Sequence, residues 1–177
     1  MSQETLERTV FWTGSIDSES MERVIREIEE CRKGNADRVR IILSSLGGSL
    51  DVAIAFHDLI RYELQWSNLI EIVVVGEASS SALMALMAAN HRVAHENGTF
   101  VFHELKRHYY ADTDMSAADL REDANVMEVK FDRVVNILSA HMAHDAKRDT
   151  IRRWCQDRTI LSGTRMFEAG LCTELRE

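Results

Sequence analysis

Two short stretches carry residue types and spacings from which chemistry could be built. "LSSLGGSL" (43–50) and "VVVGEASSSAL" (73–83) each join an apolar strand to a helix start through glycine and serine. Glycine lets backbone approach a ligand closely and leaves N–H groups turned outward. A helix N-terminus adds free N–H donors and a partial positive charge. A nucleophilic hydroxyl beside such donors would make an acyl-transfer site, the donors stabilising the oxyanion. Ser79, Ser80 and Ser81 are equally suited to capping a helix, and spacing alone favours the cap. The G-x-S-x-G elbow of hydrolases is not matched, because Ala78 and Ala82 flank Ser80 two residues away on each side. Residue spacing therefore carries the reading to an α/β domain with an anion-binding turn and stops there.

Such a turn needs strands and helices to hold it. "TVFWTGSI" is β-rich, and the helix after it is capped by Asp17 or Ser18, puts Met21, Val24, Ile25 and Ile28 on one face and ends at Gly34-Asn35. "VRIILSS" is a strand, and "LDVAIAFHDLIRYEL" is an amphipathic helix with Ser49 as its N-cap. "LIEIVVVG" is the nearly continuous apolar run of a parallel strand covered on both faces. A helix over about 80–89 follows. "HRVAHENGTFVFHEL" reads as two short strands joined in a hairpin at Asn97-Gly98. One long helix over about 116–143 opens on a Ser116/Asp119 capping box, with Val126, Val129, Val134, Ile137, Leu138 and Met142 on its apolar face. Short helices around "TIRRWCQ" and "SGTRMFEAG" close the chain, with Gly170 as a C′ residue. This alternation predicts an α/β fold with a largely parallel sheet, in a single domain spanning 1–177.

Composition excludes several classes. A net charge of -8 with no basic cluster argues against nucleic acid and against an anionic membrane surface. The N-terminus has no signal-peptide core and no stretch is long enough to span a bilayer, so no membrane is expected. Cys31, Cys155 and Cys172 are odd in number and lack a CxxC pair, which predicts reduced thiols in a cytoplasmic protein and no metal site. No cofactor is implied. There is no proline.

The order of segments resembles the Clp peptidase subunit family, ClpP, self-compartmentalising serine proteases of the crotonase superfamily. "ERTVFWTGSID" is similar to the family's opening and "ILSSLGGSLDVAIAFHDLI" to its Gly-Gly segment. "GEASSSALMALMAA" is similar to its nucleophile segment, "TFVFHEL" to its histidine strand, and "LSGTRMFEAGL" to its closing helix. The likeness runs in order from about Glu7 to Leu171. It implies a ClpP/crotonase-like ββα superhelix with a protruding handle helix over about 116–143.

The resemblance assigns roles residue by residue. Ser80 is implied as nucleophile and His103 as its base, with the N–H groups of Gly48 and Ser81 as the oxyanion hole. Ser49, Leu50, Leu105 and Lys106 would hold the substrate as an added strand. For the acid that orients His103, an ungapped alignment puts Arg158 at the family's aspartate position, and one extra loop residue would restore Asp157. Asp157 is the expected acid, with Asp145 and Asp149 as fallbacks. Leu46 and Leu105 stand where the family has proline, Ser81 where it has methionine, and Ala82 where it has glycine. The implied function is hydrolysis of peptides or unfolded proteins inside a homo-oligomer of stacked rings. An AAA+ ATPase partner is implied too, although the segment before "ERTVF", which contacts it in the family, is short here. The alternatives are a catalytically impaired ring subunit and, less favoured, a crotonase-type acyl-CoA enzyme.

Overall fold

The computed structural model describes residues 6–106, 114–143 and 147–177. Its centre is a sheet of seven strands: β1 (Glu7–Thr13), β2 (Arg38–Ser45), β3 (Ile70–Ser79), β4 (His91–His95), β5 (Thr99–Val101), β6 (Ile160–Ser162) and β7 (Glu174–Arg176). The order is β1-β2-β3-β4-β7, all parallel, with β5 against β3 and β6 antiparallel to β5. The helices are α1 (Ser18–Lys33), α2 (Leu50–Asp58), α3 (Ala82–Leu86), α4 (Ala117–Ser139), α5 (Lys147–Gln156) and α6 (Gly163–Glu168); a π-helical turn, Leu59–Glu63, extends α2.

Period-two patterning explains the strands. In β2, Val39, Ile41 and Leu43 are buried while Arg38, Arg40 and Ile42 turn to the other face. In β3, Ile70 to Val74 are all buried, as its apolar run predicts. The exception in that run is Glu71, fully buried and held by Arg40 at 2.6 Å and His91 at 2.8 Å. Unpaired, such a carboxylate would be costly; the arginines and the histidine around it make its burial tolerable.

The hairpin expected at Asn97-Gly98 is not one. β4 and β5 both run parallel to β3, β4 beside Glu71–Val74 and β5 beside Glu77–Ser79. The chain therefore steps along β3 and keeps its direction. A type I′ hairpin turn needs positive φ at both central residues, and neither Asn97 nor Gly98 has it. The helix expected over about 80–89 is also shorter: Ser80 has a φ of +57, which is not helical, and α3 spans only Ala82–Leu86.

Capping follows the sequence. Asp17 and Ser20 close a capping box on α1, Ser116 and Asp119 another on α4, and Ser49 caps α2. At 23 residues α4 is about 35 Å long. Only its second half is buried, through Val134, Val135 and Leu138; Leu120, Val126 and Val129 are exposed, Val129 by 70%.

Candidate active site

The site grows from the ends of β2, β3 and β5. After Ser79 the chain turns at Ser80, whose φ is +57, before α3 begins. A non-glycine residue in the left-handed region is uncommon and costs on the order of 1–3 kcal/mol, so its surroundings must impose it. Here the Ser80 N–H donates to the Val101 carbonyl at 3.0 Å, tying the turn to β5. Gly47 closes it from the other side. A Cβ on Gly47 would lie 2.8 Å from Ser80 Cβ and 2.9 Å from the Ser79 carbonyl oxygen, so only glycine permits this approach. The Gly-Gly turn and the serine triplet, separated by thirty residues of sequence, are thus in van der Waals contact.

The N–H groups of Gly48 and Ser81 flank this contact. Gly48 is bridged to Ile16, with the Ser49 N–H donating to the Ile16 carbonyl at 2.7 Å. Among the described residues, neither the Gly48 N–H nor the Ser81 N–H has an acceptor. Two unengaged backbone donors beside a hydroxyl are what a developing oxyanion requires.

His103 follows β5. Phe102, between them, is pinned by its N–H to the Thr159 carbonyl at 2.9 Å and by an edge-on contact with Trp154 at 5.3 Å. Ser80 and His103 line one open groove of about 490 Å³, with Gly48, Ser49, Leu50, Leu105 and Lys106 along its walls and the Asp51–Lys130 ion pair at its edge. Eight of the nine residues expected at the site therefore border the groove or its inner recess, a cavity lined by Ser80, Ser81 and His103. His103 Nδ1 lies 2.6 Å from the Glu104 carbonyl oxygen. Nδ1 must donate there, which leaves the lone pair on Nε2, the tautomer a general base needs.

Asp157 is the ninth. It is exposed beyond the end of α5 and, among the described residues, its carboxylate pairs with nothing, His103 included. Arg158, at the aligned acid position, has a φ of +51. Asp149 lies in the first turn of α5, and Asp145 falls outside the described residues. Ser79 is spoken for, its hydroxyl donating to the Glu77 carboxylate. Other histidines serve packing: His57 is buried against Asp58, and His91 stands between Glu71 and Glu174. No group of three or more metal-ligating side chains occurs among the described residues. No described helix is long and apolar enough to cross a membrane.

What the sequence reading missed is the Glu104 carbonyl, a backbone atom with no residue-type signature. It also missed the recess behind Ser80, whose walls come from five separate segments.

Fold and site together define a class: α/β proteins that present a strained serine and a histidine at the ends of neighbouring strands. The chain matches the Clp protease family model over residues 1–177, its whole length, and belongs to that family. Compared with curated proteins, it matches none.

Proposed function

We propose that the chain is a serine endopeptidase that hydrolyses peptide bonds inside a ring-shaped homo-oligomer. Ser80 Oγ attacks the scissile carbonyl while His103 Nε2 takes its proton. The N–H groups of Gly48 and Ser81 receive the oxyanion. The leaving amine then takes the proton from His103, and water hydrolyses the acyl-enzyme by the same route. Substrate lies extended along Ser49–Leu50 on one side and Leu105–Lys106 on the other. The observation that carries this reading is the turn at Ser80, held at positive φ against Gly47 and sharing a groove with His103.

The orienting group is the part where the reading parts from a full triad. Asp157 would serve only if its loop brought it to His103 Nδ1, which the Glu104 carbonyl already engages. We assign the tautomer-fixing role to that carbonyl. It supplies no negative charge, so the imidazolium is stabilised less than in a triad and turnover is slower.

A ring of such subunits, stacked through α4, would enclose the sites and admit unfolded chains only. An AAA+ ATPase would then be the partner for folded substrates. A second reading, a ring subunit without peptidase activity, is favoured by one observation: Arg158 stands where the family's acid aligns.

Fluorogenic peptides decide between them. The proposal expects hydrolysis of short peptides without nucleotide, none of folded proteins, and a loss of roughly a thousandfold or more in Ser80→Ala. An assembled, folded wild type with no peptidase activity would favour the second reading, and unchanged hydrolysis by Ser80→Ala would remove the nucleophile.

A further inference from the structure

Behind Ser80 and His103 the groove opens into a recess of about 30 Å³. Its walls include Leu50, Met84, Phe102 and Val134, and the Cys155 thiol, which burial pushes up to about 11 and so keeps neutral. One wall residue is different. Ser81 is 3% exposed, its hydroxyl is fully buried, and among the described residues it has no hydrogen-bond partner. It begins α3 without capping it. A buried hydroxyl left unmatched is costly, and this one stands at the recess nearest the proposed nucleophile.

Volume limits what can enter. A water-sized group needs roughly 10–15 Å³ of such space, so the recess takes about two heavy atoms beyond a Cβ. Threonine and valine match that size. Charged side chains would find no counter-charge on the apolar walls, and aromatic ones would require the walls to move. Between the two that fit, only threonine can hydrogen-bond.

We infer that the recess binds the side chain of the residue donating the scissile carbonyl, and that Ser81 Oγ selects a small hydroxyl-bearing residue, threonine before valine. The inference rests on the peptidase reading of Ser80. Valine would enter an equally apolar space yet leave the Ser81 hydroxyl unpaired, and a site that must pair a buried polar group discriminates more sharply than one sorting by size.

Two peptide series, identical except for threonine or valine at that residue, test it. The wild type should show a threonine preference of about tenfold in kcat/KM, the scale of one unmatched buried hydroxyl. Ser81→Ala, which keeps the backbone N–H, should bring the two substrates to within about twofold of each other. The wild-type ratio needs no variant, so a misfolded Ser81→Ala leaves the test standing. Hydrolysis with valine equal to or better than threonine, or a preference that persists in Ser81→Ala, overturns the inference and leaves the peptidase intact. No hydrolysis of either series, with no phosphonate adduct on Ser80, overturns both.

Discussion

Replacing Gly47 with alanine perturbs the site at the contact that shapes it. Gly47 has a φ of +102, and its new Cβ would meet Ser80 Cβ at 2.8 Å and the Ser79 carbonyl oxygen at 2.9 Å. Gly14 is the control, with a φ of +89 and nothing within 4 Å of an added Cβ. Gly14→Ala costs only backbone strain, about 1–3 kcal/mol. Gly47→Ala carries a similar strain plus the overlap, about 1–3 kcal/mol more. At roughly 2–4 °C per kcal/mol for a chain of this size, Gly47→Ala should melt about 2–12 °C below Gly14→Ala. Because the overlap falls on Ser80 itself, the proposed nucleophile must shift, and a displacement on the order of 1 Å costs about a hundredfold in rate. Thermal unfolding and the rate of reaction with a fluorophosphonate measure the two effects separately. Equal melting of the two variants, with wild-type reactivity in Gly47→Ala, would refute the contact argument.

Further outcomes follow from the same geometry. Asp157→Asn should change kcat/KM by less than about threefold, because its carboxylate is exposed and, among the described residues, unpaired; a loss on the scale of a triad aspartate, about 10⁴-fold, would return the orienting role to it. Burial, with Arg92 and Arg61 near, pushes His141 down to about 3 from an ordinary 6.5. The neutral ring's contribution is complete above pH 6.5 and is lost as pH falls from 6.5 towards 3, at no more than about 1.4 kcal/mol per pH unit. Urea midpoints should fall over that range and fall less in His141→Gln; parallel curves would exclude His141 as the cause. Arg92 is buried and donates to the carbonyls of Leu171 at 2.7 Å and Ala89 at 2.9 Å, so Arg92→Met should destabilise by about 3 kcal/mol in urea unfolding, and a change under about 1 kcal/mol would contradict its structural role. Val129→Glu on the exposed half of α4 should leave subunit stability within about 0.5 kcal/mol but weaken assembly in sedimentation; unchanged assembly would exclude that stripe as the stacking surface.

Much of this was legible in the sequence, for identifiable reasons. Alternating burial in β2, the Asp17 cap of α1 and the capping box on α4 follow from local patterning, and the structure contains them. Asn97-Gly98 misled because a hairpin is only one use of that dipeptide; here β3 supplies partners for both flanking strands, and the turn keeps negative φ. β6 and β7, three residues each, are too short to show a period, and long-range pairing creates them. Glu71 was hidden in an apolar run because its partners, Arg40 and His91, lie on the neighbouring strands β2 and β4. Resemblance supplied the expectation that Ser80 and His103 act together, while the contact of Gly47 with Ser80 depends on strand register that spacing does not encode.

The central claim is that Ser80 is a nucleophile activated by His103. Fluorophosphonate labelling followed by peptide mapping tests it most directly. The account predicts one adduct per subunit, on Ser80, with neither Ser79 nor Ser81 modified, and a rate that collapses in His103→Ala. An adduct on another residue, or labelling of Ser80 that proceeds equally well without His103, would contradict it.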